Sequence, residues 1–273
     1  MSGEQFSLSI LVGIARQAGK AILEIYDSDF EVIRKADGSP LTLADQNANA
    51  IIERSLEALE PQLPIVSEES RRPVAAVRNE WRRYWLVDPL DGTKEFTKRN
   101  GEFTVNIALI DDGAPVAGVV HVPVSNTTYF ASEAEGAFKQ CADDEPVAIR
   151  SSSYKGGKAV VVASRSHANP LLTEFFSQLD EYETLSMGSS LKLCLVAEGR
   201  ADVYPRFGPT SEWDTAAAHC VVNAAGGRVT DMDGAVLQYN KPDILNPWFV
   251  VTGAGDYPWL EKLQHVRDHA LGK

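Results

Sequence analysis

Trp85-Leu-Val-Asp88-Pro-Leu-Asp91-Gly92-Thr93-Lys-Glu-Phe96 is the stretch whose reading decides the fold. An apolar, strand-like run leads through Asp88 and Asp91 into a glycine, a hydroxyl residue and the start of a helix. The carboxylates offer oxygen ligands to a hard divalent cation, and the backbone N–H groups of Gly92, Thr93 and Lys94 can face a phosphate. Acids beside an anion cradle make sense with metal between them. Alone, the two aspartates would repel the phosphate they border.

The chain around this stretch has 273 residues, room for one large domain or two joined lobes. Its 44% hydrophobic and 23% charged content is ordinary for a soluble globular protein. A net charge of -12 excludes a general surface for nucleic acid polymers or anionic membranes. An anionic ligand must instead be met locally, most simply by a bound cation that inverts the sign. Cys141, Cys194 and Cys220 are too widely spaced for a disulfide framework or a zinc site, and are expected to be reduced and buried. No basic leader precedes Phe6, and Arg16, Gln17 and Lys20 interrupt the next apolar run. Neither a signal peptide nor a spanning helix is expected, and the cytoplasm is the default compartment.

Upstream, Leu8, Leu11, Val12, Ala15, Ala18, Ile22 and Ile25 recur at helical spacing, predicting an amphipathic core helix over 8–26. Gly13 to Lys20 loosely suggests a P-loop, but the glycine spacing is wrong and no Ser or Thr follows Lys20. A turn-rich lead-in, Lys35 to Thr42, precedes a second helix over about 44–59, which Thr42 or Asp45 would cap. Leu63 to Ser70 reads as a short buried strand ending in Glu68 and Glu69. Downstream, the runs 104–110, 115–122 and 127–131, with 136–138 and 147–150, predict an antiparallel meander. Ser151 to Lys158 reads as a linker, dividing lobes at 1–153 and 154–273. Beyond it, strands over 159–163, 183–186, 201–204 and 248–251 alternate with helices near 170–179, 189–197, 215–225 and 257–270. That alternation implies a layered α/β arrangement, an antiparallel lobe followed by a mixed one.

Spacing cannot show that Glu68, Asp88, Asp91 and Asp214 meet, although Glu68 and Asp88 become neighbours if their strands pair. Two like charges about 4 Å apart repel by about 4 kcal/mol at an effective dielectric near 20. A cluster of four therefore calls for cations, which would also supply an electrophile for phosphoryl transfer.

Taken together, Asp88-Pro-Leu-Asp-Gly-Thr93, Ser67-Glu-Glu69 and Trp213-Asp-Thr-Ala-Ala217 resemble the signature set of the lithium-sensitive, Mg2+-dependent phosphatases related to inositol monophosphatase. Lys98 to Ile107, Gly188 to Lys192, Ala201 to Arg206 and Phe207 to Pro209 resemble its bacterial 3'(2'),5'-bisphosphate nucleotidase branch. The resemblance implies a five-layered αβαβα sandwich of the sugar-phosphatase type. It also implies one Mg2+ on Glu68, Asp88 and the Leu90 carbonyl, and a second on Asp88, Asp91 and Asp214. A third, weaker ion would join near Glu68. Thr93 and Asp45 match the pair that takes a proton from the attacking water, and Gly92 with Thr93 would hold the scissile phosphate. Ser189, Lys192 and Arg206 would meet a second phosphate or the ribose, and His167 the adenine. The implied substrate is adenosine 3',5'-bisphosphate, with its sulfated analogue PAPS as a second one, and the implied assembly is a monomer or homodimer. Relatives attach peripherally to the inner membrane, but no basic amphipathic helix here predicts it.

Three rivals stand beside this reading. One is an inositol-type sugar phosphatase, although Lys94 stands where such enzymes more often carry Thr. Another is a silent metal or nucleotide sensor on the same fold. The third is an aspartyl-phosphate phosphatase of the haloacid dehalogenase type, with signature Asp-x-Asp-Gly-Thr. Here the first Asp lies one residue too far away, and strand alternation is expected to send the two carboxylates to opposite faces. Left to themselves, Lys192 is a solvated helix charge and His219 a packed core residue.

Overall fold

The computed structural model describes residues 7–29, 32–34, 40–164 and 170–270. Helix α1 (Leu8–Tyr26) is followed by a small hairpin, β1 (Ile33–Arg34) and β2 (Pro40–Leu41), and by α2 (Leu43–Glu57). Next come β3 (Ile65–Ser67), α3 (Ala75–Arg78), β4 (Arg83–Asp91) and the short α4 (Thr93–Thr97). A meander follows: β5 (Thr104–Asp111), β6 (Ala114–Val122), β7 (Thr127–Ser132), β8 (Gly136–Cys141) and β9 (Val147–Ala148). The remaining chain forms β10 (Lys158–Ser164), α5 (Pro170–Ser177), β11 (Glu181–Met187), α6 (Leu191–Ala197) and β12 (Val203–Arg206). It ends with α7 (Glu212–Ala224), β13 (Arg228–Asp231), β14 (Phe249–Thr252) and α8 (Trp259–Ala270).

Five layers result. The outer α1 and α2 cover one face of a seven-stranded sheet, β3-β4-β5-β6-β7-β8-β9, through a core that includes Leu11, Ile22, Ile52, Trp85 and Val119. Its other face packs on α6 and α7, which are sandwiched against a five-stranded sheet, β11-β10-β12-β14-β13. The outer face of that second sheet carries α5 and α8, with Phe175, Trp259 and Leu263 in the contact. Alternation along β4 explains how one strand serves two cores: Trp85 and Val87 face α1 and α2, while Tyr84 and Leu86 face the central helices. The close approach of α7 needs Gly118 on β6, where a Cβ would lie 2.4 Å from the Ala217 carbonyl oxygen.

Several expectations need correction. The first sheet is not wholly antiparallel, because its edge strand β3 runs parallel to β4, in register Ser67 with Val87. That pairing is what carries Glu68 to the end of β4. Residues 151–158 have linker composition, yet the Ser151 amide and hydroxyl both donate to the Ala225 carbonyl, and Ser153 bridges to Ala254. Cys194 and Cys220 are buried, but Cys141 at the end of β8 is exposed. Gly13 to Lys20, rejected as a P-loop on its spacing, lies inside α1 as the helical pattern predicts.

Candidate active site

Strand alternation, the ground against a haloacid dehalogenase-type site, does not separate Asp88 from Asp91 in the fold. Asp88 pairs with Asn106 and Asp91 with Thr104, so Pro89 and Leu90 oppose Val105 alone, a β-bulge. The extra residue resets the alternation, and Asp88 and Asp91 share the face turned toward α6 and α7. Leu90 takes the opposite face, in the α1–α2 core, and its amide donates to Asp88 Oδ1 at 3.1 Å. Gly92 then turns the chain at φ 93°, a left-handed conformation open to glycine. A Cβ there would also press on the Glu102 carbonyl at 3.2 Å. The helix that follows is only five residues long, too short for much of a macrodipole.

Two capping boxes bring in distant acids. At the start of α2, Asp45 Oδ2 accepts from the Thr42 amide and hydroxyl, each at 2.7 Å. Its Oδ1 receives a long contact of 3.4 Å from the Thr93 hydroxyl, which also reaches the Leu90 carbonyl at 3.4 Å. At the start of α7, Asp214 Oδ2 accepts from the Ser211 amide at 2.8 Å. Each acid thus closes a helix start and also faces the end of β4, so Asp45 is more than a cap.

Glu68, Asp88 and Asp214 each present an oxygen, all within 4.8 Å of one another. Burial and the neighbouring Glu68, Asp91 and Asp214 hold the Asp88 carboxyl well above the usual carboxylate range. Burial and Asp91 push Asp214 up to about 8, against the opposing Ser211 amide. Carboxylates so crowded and so reluctant to ionise are what a divalent cation relieves, and an all-oxygen donor set suits Mg2+ or Ca2+. Asp91 stands beside this group, its Oδ2 accepting from the Ser189 hydroxyl at 2.5 Å and the Ser190 amide at 2.6 Å. Those bonds tie the turn after β4 to the loop before α6. Ser189 is itself held in a left-handed conformation, at φ 55°.

A pocket opens from Asp91, Gly92 and Asp214 toward Ser189, Lys192 and Arg206. Lys192, far from being a solvated charge, is buried, donates to the Ser189 carbonyl and lies over the Tyr204 ring. Burial lowers its pKa to about 8, with Asp91 acting in the other direction. Arg206 donates to the Pro209 carbonyl at 3.0 Å, and its buried Nε has no partner among the described residues. His167 lies outside the described residues, and His219 is packed, with its Nδ1 against the Tyr239 hydroxyl at 2.8 Å.

Two contributors escaped the sequence reading. Glu95 lines the pocket, one turn along from Gly92. Asn49 accepts from the Ser67 hydroxyl at 2.6 Å and donates to Ser70 at 3.0 Å, bracing the turn that carries Glu68. Its place one helical turn after Asp45 was the available signal.

Comparison with known proteins agrees with this architecture. The model of the inositol monophosphatase family matches residues 4–266. A 3'(2'),5'-bisphosphate nucleotidase CysQ from Salmonella typhimurium is 51% identical over 242 residues, which cover 88% of this chain and 96% of the relative. The protein of that name from Aggregatibacter actinomycetemcomitans is 38% identical over 262 residues, 94% of this chain and 96% of its own. Among solved structures, CysQ from Bacteroides thetaiotaomicron superposes with a TM-score of 0.79 at 43% identity, covering 92% of this chain and 99% of that one. An inositol monophosphatase from Thermotoga maritima shares the fold, with a TM-score of 0.78 at 23% identity over 96% of this chain and 98% of its own. A match that runs almost end to end, shared with relatives half identical over nearly their whole length, places the chain in the inositol monophosphatase family, in the branch of the CysQ proteins.

Proposed function

We propose that this chain is a Mg2+-dependent phosphomonoesterase that removes the 3'-phosphate of adenosine 3',5'-bisphosphate, leaving AMP and phosphate, and that also accepts PAPS. The observation that carries this reading is the meeting of Glu68, Asp88 and Asp214 within 4.8 Å, beside a pocket lined by Lys192 and Arg206. The names of its CysQ relatives support the substrate class.

Glu68, Asp88, Asp91, Asp214 and the Leu90 carbonyl would hold two Mg2+ ions, with a third and weaker one near Glu68. Bound Mg2+ supplies a water of lowered pKa and offsets the charge that builds on the phosphoryl oxygens. Thr93 Oγ1 would orient the attacking water and Asp45 Oδ1 would take up its proton, the other Asp45 oxygen being pinned by Thr42. The backbone amides at Gly92 and Thr93 bind the scissile phosphate. Ser189, Lys192 and Arg206 receive the second phosphate and the ribose, where two cations suit a doubly charged nucleotide better than a sugar with one phosphate. His167 is assigned to the adenine. On this reading the site lies between lobes 1–153 and 154–273 of a cytoplasmic monomer or homodimer.

Phosphate release is measured from adenosine 3',5'-bisphosphate, PAPS, inositol 1-phosphate and fructose 1,6-bisphosphate, with Mg2+ and with chelator. The nucleotides are expected to be turned over fastest, with loss of activity in chelator and inhibition by Li+. Faster turnover of inositol 1-phosphate overturns the substrate assignment, and undiminished turnover in chelator overturns the metal.

A further inference from the structure

Asp214 joins the acidic cluster because of where α7 begins, and that start is held by a segment with no place in the catalytic pocket. The Asn246 amide donates to the Thr210 carbonyl at 2.8 Å. Its side-chain nitrogen donates to the Ser211 carbonyl at 2.8 Å, to the Thr215 hydroxyl at 3.1 Å and to the Thr210 hydroxyl at 3.2 Å. Asn246 therefore clamps the peptide just before α7 from both sides, and Ser211 is the residue whose amide donates to Asp214. The residue is 8% exposed and does not line the catalytic pocket, although Thr210, Thr215 and Asp214 do.

We propose that Asn246 is a positioning residue that sets the metal affinity of the site by fixing the Thr210–Ser211 peptide, and through it the Asp214 carboxylate. Groups that orient a metal ligand through hydrogen bonds govern affinity by about 10–100-fold when removed. The inference rests on the metal-dependent reading above.

The test compares Asn246→Asp, which keeps the volume but loses the donors, with Asn246→Ala. Calorimetric titration with Ca2+ gives affinity without turnover, and the half-saturating Mg2+ concentration is read separately from the nucleotide KM. Both metal constants are expected to weaken about tenfold or more in each variant, while kcat and the nucleotide KM at saturating Mg2+ stay within about threefold, a change below one decade of binding. A folded variant with unchanged metal constants overturns the inference and leaves the proposed function standing. So does one in which kcat or nucleotide KM changes while the metal constants hold. Loss of fold in both variants also overturns it, since Asn246 would then be a stability residue only. A wild-type protein that binds neither metal overturns both readings. One that binds Ca2+ but releases no phosphate, with weaker binding in the variants, overturns only the proposed function.

Discussion

Replacing Asp214 with its neutral isostere, Asp214→Asn, should make the metal-free protein more stable and the metal-loaded protein less so. Full charges on groups 4.8 Å apart repel by about 3.5 kcal/mol at an effective dielectric near 20. Proton uptake caps that cost, because Asp214 with its pKa pushed up to about 8 is only partly charged near pH 8. The residue is also only partly buried, so solvent screens it. A gain of about 1–3 kcal/mol at pH 8 remains, or about 2–10 °C in Tm at this chain length. An Asn side chain still accepts from the Ser211 amide, so the start of α7 is preserved. The sign with pH follows from proton counting. Unfolded, Asp214 loses its proton near pH 4, whereas the folded metal-free protein keeps it until about 8. The folded state binds more protons across that window, so wild-type stability falls as pH rises through it, and the gain from the variant vanishes toward pH 4. With Mg2+ at about 1,000 times its Kd the order reverses, since such a ligand stabilises the wild type by about 4.1 kcal/mol. Thermal unfolding in chelator and in Mg2+, at pH 5 and pH 8, reads all four conditions. A variant less stable than wild type in chelator at pH 8, or one that Mg2+ stabilises as much as wild type, would refute the reasoning.

Lys192→Met should raise the KM for the bisphosphorylated nucleotide at least tenfold while leaving inositol 1-phosphate turnover within about threefold, because the buried ammonium is assigned to the second phosphate and about 1.4 kcal/mol is tenfold in binding. With the Lys192 pKa lowered to about 8, the wild-type nucleotide KM should climb as pH rises through 8 and the ammonium loses its proton, and a flat profile in steady-state kinetics would contradict it. Gly118→Ala should cost about 1–3 kcal/mol in urea unfolding, because its methyl meets the α7 backbone at 2.4 Å with no side chain to move aside.

Much of this protein is determined locally and can be read along the chain. Helix α1 spans the residues its apolar stripe marks, the meander strands fall on the β-branched runs, and Thr42–Asp45 announces a helix start, whereas α7 begins at Glu212, ahead of the 215 that its apolar pattern suggests, because Ser211 and Asp214 box its start. These features depend on neighbours within a turn or a hairpin, so residue order alone carries them. The parallel pairing of β3 with β4, the bulge at Pro89-Leu90 and the burial of Lys192 depend instead on which surfaces meet after collapse. Alternation along an isolated strand even put Asp88 and Asp91 on opposite faces, until pairing with β5 added the extra residue that turned them together. Carboxylates repel, so no local preference gathers Glu68, Asp88 and Asp214. Packing of α7 between the sheets, with the peptide before it clamped by Asn246, brings them within reach of one cation.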